Sequence, residues 1–223
     1  MADEPILHNL NRRFDHAALF PETDEAAVRT ACEQALKHEF FSVAVNPVWV
    51  SLAADLLRSS ASKVLGVAGF PLGANRTNIK AAEASNCVAD GAHEIDMVAN
   101  IGHIVSERWS DVESEIATIR RALPYNVVLK VIIEASKLTE QQQIEATRAV
   151  VAGGAQFVKT GTGFFGGATV GQVSTLVAAA RGEIEVKASG SIKTLAQCRE
   201  LLTAGASRLG SSSSVSIMRE LSG

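Results

Sequence analysis

"QFVKTGTGFFGGATVGQVSTLVAAARGEIEVKAS", residues 156–189, reads as a short strand, a small-residue turn, a helix and a second strand. Two apolar runs of strand length flank a longer run of helix-forming residues. That is the pattern of a βαβ unit, in which the helix returns the chain to a parallel neighbour. Each strand ends in a lysine, Lys159 and Lys187, followed at once by Gly, Thr, Ala or Ser.

The same unit recurs on both sides. "RFDHAAL" leads to "DEAAVRTACEQALKHE", with Asp24 placed as an N-cap, and "FSVAVN" leads to "PVWVSLAADLLRSS", with Pro47 suited to a first helical turn. "KVLGVAG" precedes "NRTNIKAAEASNCVADG", "HEIDMVAN" precedes "DVESEIATIRRAL", and "VVLKVIIE" precedes "TEQQQIEATRAVVAGG". After residues 156–189 come "TLAQCRELLTAGA", "SRLG" and "SSSVSIMREL". Eight strand–helix units predict an α/β protein with a (β/α)8 TIM barrel rather than an open sheet. No linker or low-complexity tract divides the chain, so residues 1–223 are expected to form a single domain.

Composition narrows the function classes. Apolar residues make up 47% of the 223, which excludes global disorder, and a net charge of -3 argues against a general nucleic-acid partner. Cys32, Cys87 and Cys198 are far apart and form no C-x-x-C pair, so they read as reduced thiols of a cytoplasmic protein. The opening "MADEPILHNLNRRF" lacks the apolar core of a signal peptide. "FFSVAVNPVWVSLAADLL" is broken by Asn46 and Pro47, so no membrane span is expected.

In a barrel, chemistry belongs at the carboxyl ends of the strands, and the period of two assigns faces. Glu94 and Asp96 share a face, as do Lys130 and Glu134, Lys159 and Phe157, and Lys187 and Glu185. The opposite faces carry Ile95, Met97, Leu129, Val131, Val158 and Val186, suited to burial under helices. Asp15, Asp96, Lys130, Lys159 and Lys187 are therefore expected inside, with Glu94, Glu134 and Glu185 near them. Interior charges are costly unless paired. Such a set is either a structural ion-pair cluster or a reactive one, and two lysines at successive strand ends favour the second.

A free lysine has a pKa near 10.4, so only about one in 2,500 is neutral at pH 7. Two ammoniums about 4 Å apart at an effective dielectric near 20 repel by roughly 4 kcal/mol, or about three pKa units. Desolvation pushes the same way and carboxylates push back. A neutral lysine beside a charged one is a Schiff-base nucleophile, with Asp96 placed to move protons. This chemistry needs no metal or cofactor, and His93 and His103 lack metal-ligand spacing. "ASGSIKT" and "RLGSSSSVS", after the seventh and eighth strands, suit a phosphate cradle. Glycine permits close approach there, and a helix N-terminus supplies N–H donors.

"EIDMVANIG", "LKVIIE", "FVKTGTGFFGGAT", "VKASGSIKT" and "RLGSSSSVSI", with "FDHAALFPE", "VNPVWV" and "GFPLGAN", resemble in order and spacing the motifs of deoxyribose-phosphate aldolases. The resemblance spans almost the whole chain. It implies reversible cleavage of 2-deoxy-D-ribose 5-phosphate into acetaldehyde and D-glyceraldehyde 3-phosphate. Lys159 would form the imine, Lys187 lower its pKa and Asp96 relay protons, with Asp15 and Lys130 completing the polar network. Gly190, Ser191, Gly210, Ser212 and Ser213 match the phosphate-binding turns. The substrates implied are small phosphosugars and aldehydes, and a homodimer is expected because relatives are often dimers. Gly161, Ser191 and Ser214 depart from the usual family residues, as do Ala17, Phe20 and Ala44. Longer relatives carry a C-terminal tyrosine, whereas the only tyrosine here is Tyr125. Two alternatives stay open: a related Schiff-base aldolase with another substrate, and a non-catalytic sugar-phosphate binder.

Overall fold

The computed structural model describes residues 5–222. Eight strands close into a barrel in sequence order, each parallel to both neighbours. They are β1 (Phe14–Ala18), β2 (Ser42–Val45), β3 (Lys63–Ala68), β4 (Glu94–Val98), β5 (Val128–Ile132), β6 (Phe157–Lys159), β7 (Glu185–Ser189) and β8 (Arg208–Ser211). The crossovers hold α1 (Glu25–His38), α2 (Val50–Leu57), α3 (Thr77–Ala89), α4 (Ile101–Val105), α5 (Trp109–Ala122), α6 (Glu140–Ala152), α7 (Val170–Ala180) and α8 (Leu195–Thr203), and α9 (Ser214–Ser222) follows β8. The short α4, between β4 and α5, has no counterpart in the strand–helix alternation of the sequence.

Local chemistry sets where the helices begin. Asp24 caps α1 by accepting from the Ala27 N–H at 2.8 Å. Thr139, Thr169 and Thr194 open α6, α7 and α8, each with a glutamine three residues later that closes a reciprocal capping box. Pro47 opens a short 3-10 turn, Pro47–Trp49, that leads into α2.

The outward strand residues, including Ile95, Met97, Leu129, Val131, Val158 and Val186, pack with the helices into one continuous apolar layer. The lumen is divided. On the β2–β3 side it is filled by Ala44, Leu65 and Val67, with Ala17, Leu19 and Phe70 packed on them. The rest of the lumen holds charge: Asp15, Glu94, Asp96, Lys130, Lys159, Lys187 and Arg208 are all buried. Among the described residues no helix is long and apolar enough to cross a membrane.

Candidate active site

Strand register brings the charged residues together. Lys159 and Lys187 are Cα partners on β6 and β7, Asp96 and Lys130 are partners on β4 and β5, and Asp15 faces Gly210 across β1 and β8. Asp96 is the hub. Its Oδ2 accepts from Lys159 Nζ at 2.8 Å and from Lys187 Nζ at 2.7 Å, and its Oδ1 accepts from Lys130 Nζ at 3.1 Å. Lys187 Nζ also lies 2.5 Å from Asp15 Oδ2. Lys130 Nζ donates to Glu94 Oε2 at 2.5 Å, below the lysine pair.

Arg208 completes the cluster, and the sequence pattern alone does not single it out. Its guanidinium donates to Asp15 at 2.8 Å and Glu94 at 3.3 Å, and stacks 3.5 Å above the Phe41 ring. The signal was present: Arg208 lies two residues before Gly210 and so shares its inward face. Ser42 donates to Asp15 Oδ1 at 2.7 Å from β2.

Two carboxylates expected in this network lie elsewhere. Glu185 has the inward phase but sits at the amino end of β7, where it is solvent-exposed and accepts from Ser207 Oγ. Glu134 lies beyond β5 in a left-handed conformation, and accepts from the N–H and Oγ1 of Thr162 at 3.0 and 2.7 Å. It holds the loop after β6 and does not touch either lysine of the pair. Alternation gives a side chain's direction but not its height along the barrel axis.

Four basic groups (Lys130, Lys159, Lys187, Arg208) thus share the lumen with three carboxylates (Asp15, Glu94, Asp96). Fully ionised, the set would carry one net positive charge in a medium that penalises it. Burial lowers the pKa of Lys159 to about 8; the Asp96 carboxylate works against this, and the Lys187 and Lys130 charges add to it. Lys130 behaves oppositely. Burial disfavours its charge, but Asp96, Glu94 and Asp15 more than offset this and raise its pKa. Burial also opposes charge on Asp15 and Asp96, yet their cationic partners hold both carboxyls below the usual range. Losing the Lys159 proton is therefore the change that balances the lumen. Desolvation, rather than the neighbouring ammonium, is the larger cause.

Above the pair opens a cavity of about 240 Å³ lined by Asp15, Lys159, Lys187 and the loops after β1, β6, β7 and β8. Gly190, Ser191, Gly210, Ser212 and Ser213 all line it, as do Lys193 and Thr162. Asp96 and Lys130 lie beneath this floor, so Asp96 reaches the cavity only through the lysines. Ser211 Oγ donates to the Ile192 carbonyl at 2.7 Å, which ties together the turns after β7 and β8. Gly190 has φ +105°, and a Cβ there would come within 2.6 Å of the Gly166 carbonyl oxygen. At Gly210 a Cβ would lie 2.9 Å from that of Ser189 and 3.2 Å from Lys187 Cε. That glycine is thus required by the lysine stem as well as by the turn. Among the described residues, no three His, Cys, Asp or Glu side chains form a metal-ligand set.

Residues 10–209 match the family model described as DeoC/LacD family aldolase. The chain belongs to that aldolase family. It is 45% identical over 213 residues to a deoxyribose-phosphate aldolase of Lactococcus lactis subsp. lactis, covering 95% of this chain and 96% of the relative. Identity to the deoxyribose-phosphate aldolase of Natranaerobius thermophilus is 40% over 217 residues, covering 97% and 99%. Among solved structures, the tetrameric deoxyribose phosphate aldolase of Aeropyrum pernix superposes with a TM-score of 0.89 at 30% identity, covering 96% of this chain and 91% of that one. The aldolase barrel thus extends over nearly all of this chain, with the lysine pair inside the matched span.

Proposed function

We propose that this chain is a deoxyribose-phosphate aldolase, cleaving 2-deoxy-D-ribose 5-phosphate reversibly to D-glyceraldehyde 3-phosphate and acetaldehyde through an imine on Lys159. One observation carries the reading: two lysines on neighbouring strands share a single Asp96 oxygen at the floor of a cavity rimmed by serine and glycine turns. With its pKa near 8, about a tenth of Lys159 is neutral at pH 7. The neutral amine condenses with the carbonyl of the opened sugar and loses water; the C3 hydroxyl then gives up its proton to a basic group of the site and becomes the carbonyl of departing D-glyceraldehyde 3-phosphate, while the electrons of the breaking C2–C3 bond pass into the iminium. The enamine left behind takes up a proton, and water releases acetaldehyde and the free amine.

Lys187 stays between Asp15 and Asp96 as the cation of the site and donates protons at the reacting face, which Asp15 also lines. Asp96 orients both nitrogens and exchanges protons with them from below. Lys130 holds Asp96 ionised. The N–H groups and hydroxyls of Gly190, Ser191, Gly210, Ser212 and Ser213 receive the phosphate, at the turns where barrels bind such groups. Residues 1–223 act as one catalytic domain in the cytoplasm. Cys32, Cys87 and Cys198 are free and buried, as suits a reducing compartment.

Borohydride reduction in the presence of acetaldehyde tests the reading. Peptide mapping is expected to find an ethyl group on Lys159 and a matching loss of activity. Full activity with no lysine adduct at saturating aldehyde would overturn it.

A further inference from the structure

Two of the buried charges in the lumen, Arg208 and Glu94, take no part in the imine chemistry and lie outside the cavity lining. β8 begins at Arg208, the Cα partner of Lys187, and its guanidinium crosses the lumen to Glu94 on the opposite strand β4. Nη1 donates to Asp15 Oδ1 at 2.8 Å and to Glu94 Oε2 at 3.3 Å, and the Phe41 ring holds the guanidinium from 3.5 Å. Arginine does not release its proton at any working pH. Burial opposes the charge here, but Asp15 and Glu94 outweigh that.

The three lysines are held unequally. Lys130 Nζ has Glu94, Asp96 and Asp15 at 2.5, 3.1 and 3.9 Å, and Lys187 Nζ has Asp15 and Asp96 at 2.5 and 2.7 Å. Among the described residues Lys159 meets one carboxylate, Asp96, at 2.8 Å, on an oxygen that Lys187 also uses. With four cations against three carboxylates, Lys159 is the least able to keep its proton.

We propose that Arg208 is a positioning residue whose permanent charge leaves Lys159 without its proton. From beneath the cavity floor it takes up part of the negative charge of Asp15 and Glu94. The lysines share what remains, and the least-held of them releases its proton to water in the cavity. A neutral side chain at 208 would leave three lysines facing three carboxylates, with no proton in excess. The proposal rests on the imine reading for its catalytic meaning, but the proton count holds whatever the amine attacks. The other elements around the cluster leave the count unchanged. β2 adds the Ser42 hydroxyl, and β3 the apolar Leu65 and Val67. The Lys63 charge bears on His93, Arg12 lies 5.3 Å from the Phe41 ring, and Glu134 is turned to Thr162. Glu185 and Lys193 are exposed, where water and salt screen them.

The test is the pH at which Lys159 becomes nucleophilic, read two ways on the full chain. One is trace acetylation by acetic anhydride with peptide mapping. The other is the acid limb of kcat/KM for cleavage of 2-deoxy-D-ribose 5-phosphate. Arg208→Met, with three cations against three anions, is expected to move both limbs up by about one unit, with about tenfold lower activity at pH 7. Glu94→Gln, with four against two, should move them down. The double variant, with three against two, restores the excess and should return them to within about half a unit of wild type. A merely structural Arg208 would lower activity at every pH without moving the limb, and removing Glu94 would not bring it back. An unmoved limb in Arg208→Met, or a double variant that does not return, overturns the proposal. Should Arg208→Met fail to fold, the limb of the double variant must still lie above that of Glu94→Gln, and coincident limbs overturn the proposal. Acetylation limbs that move as stated, with no acetaldehyde adduct on Lys159 after borohydride, uphold the proton count and overturn the imine reading alone.

Discussion

Lys159 shows how one proton is arranged to be missing. Its residue exposure is only 3%, and that burial outweighs the carboxylate that holds it. Because reactivity follows the neutral fraction, kcat/KM is expected to rise with pH and level off above about 8. The Lys187 charge lowers the Lys159 pKa, so Lys187→Met should move this limb to higher pH. Activity at pH 7 then falls about tenfold for each unit of movement. A pH–rate profile whose limb stays in place or moves to lower pH contradicts the assigned coupling. Gly210 is tied to the same atoms. Gly210→Ala forces its new methyl against Ser189 and the Lys187 stem, and kcat is expected to fall about 10- to 100-fold through misplacement of that ammonium. Steady-state kinetics with thermal unfolding as a control checks this, and unchanged kcat in a stable variant counts against it.

At the scale of elements, a second buried ion pair holds the barrel wall behind the site. Lys80 on α3 donates to Glu115 Oε1 on α5 at 2.9 Å and to the Val98 carbonyl at 2.8 Å, while Glu115 Oε2 accepts from the Asn100 N–H at 2.9 Å. One pair thereby joins two helices to the end of β4, the strand that carries Asp96. Burial lowers the Lys80 pKa even though Glu115 opposes it. Removing one partner leaves an uncompensated charge, so Glu115→Ala is expected to cost about 3–5 kcal/mol in urea unfolding. The double change Lys80→Met with Glu115→Leu should cost less than Glu115→Ala alone. A double variant as unstable as the single one would mean that the hydrogen bonds to Val98 and Asn100, rather than charge balance, carry the stabilisation.

For the whole molecule, the polar half of the lumen makes stability depend on pH. Folded Asp15 and Asp96 have pKa values below the ordinary carboxylate value of 3.8, because cations outweigh the burial that opposes their charge. Their contribution is complete above about pH 4 and is lost as the pH falls through the folded values. The stability gap between wild type and Asp96→Asn, read from urea midpoints, is therefore expected to narrow as the pH drops below about 4. Each unit of depression corresponds to about 1.4 kcal/mol. A gap that stays constant from neutral pH to pH 3 would remove Asp96 from the acid response.

The sequence by itself determined the alternation of strands and helices, the count of eight strands, and the inward phase of Asp15, Asp96, Lys130, Lys159 and Lys187. Hydrophobic period and capping residues act over a few neighbours, and such information survives in a linear reading. Only the tertiary structure decided how high each inward side chain sits. That height leaves Glu185 in solvent at the barrel's foot and sends Glu134 to the loop after β6. The structure alone also brought Arg208 onto Asp15, 193 residues away, and Phe20 onto Phe164 across the mouth. These contacts follow from the stagger and closure of the barrel, which are properties of all eight strands together and of no single segment.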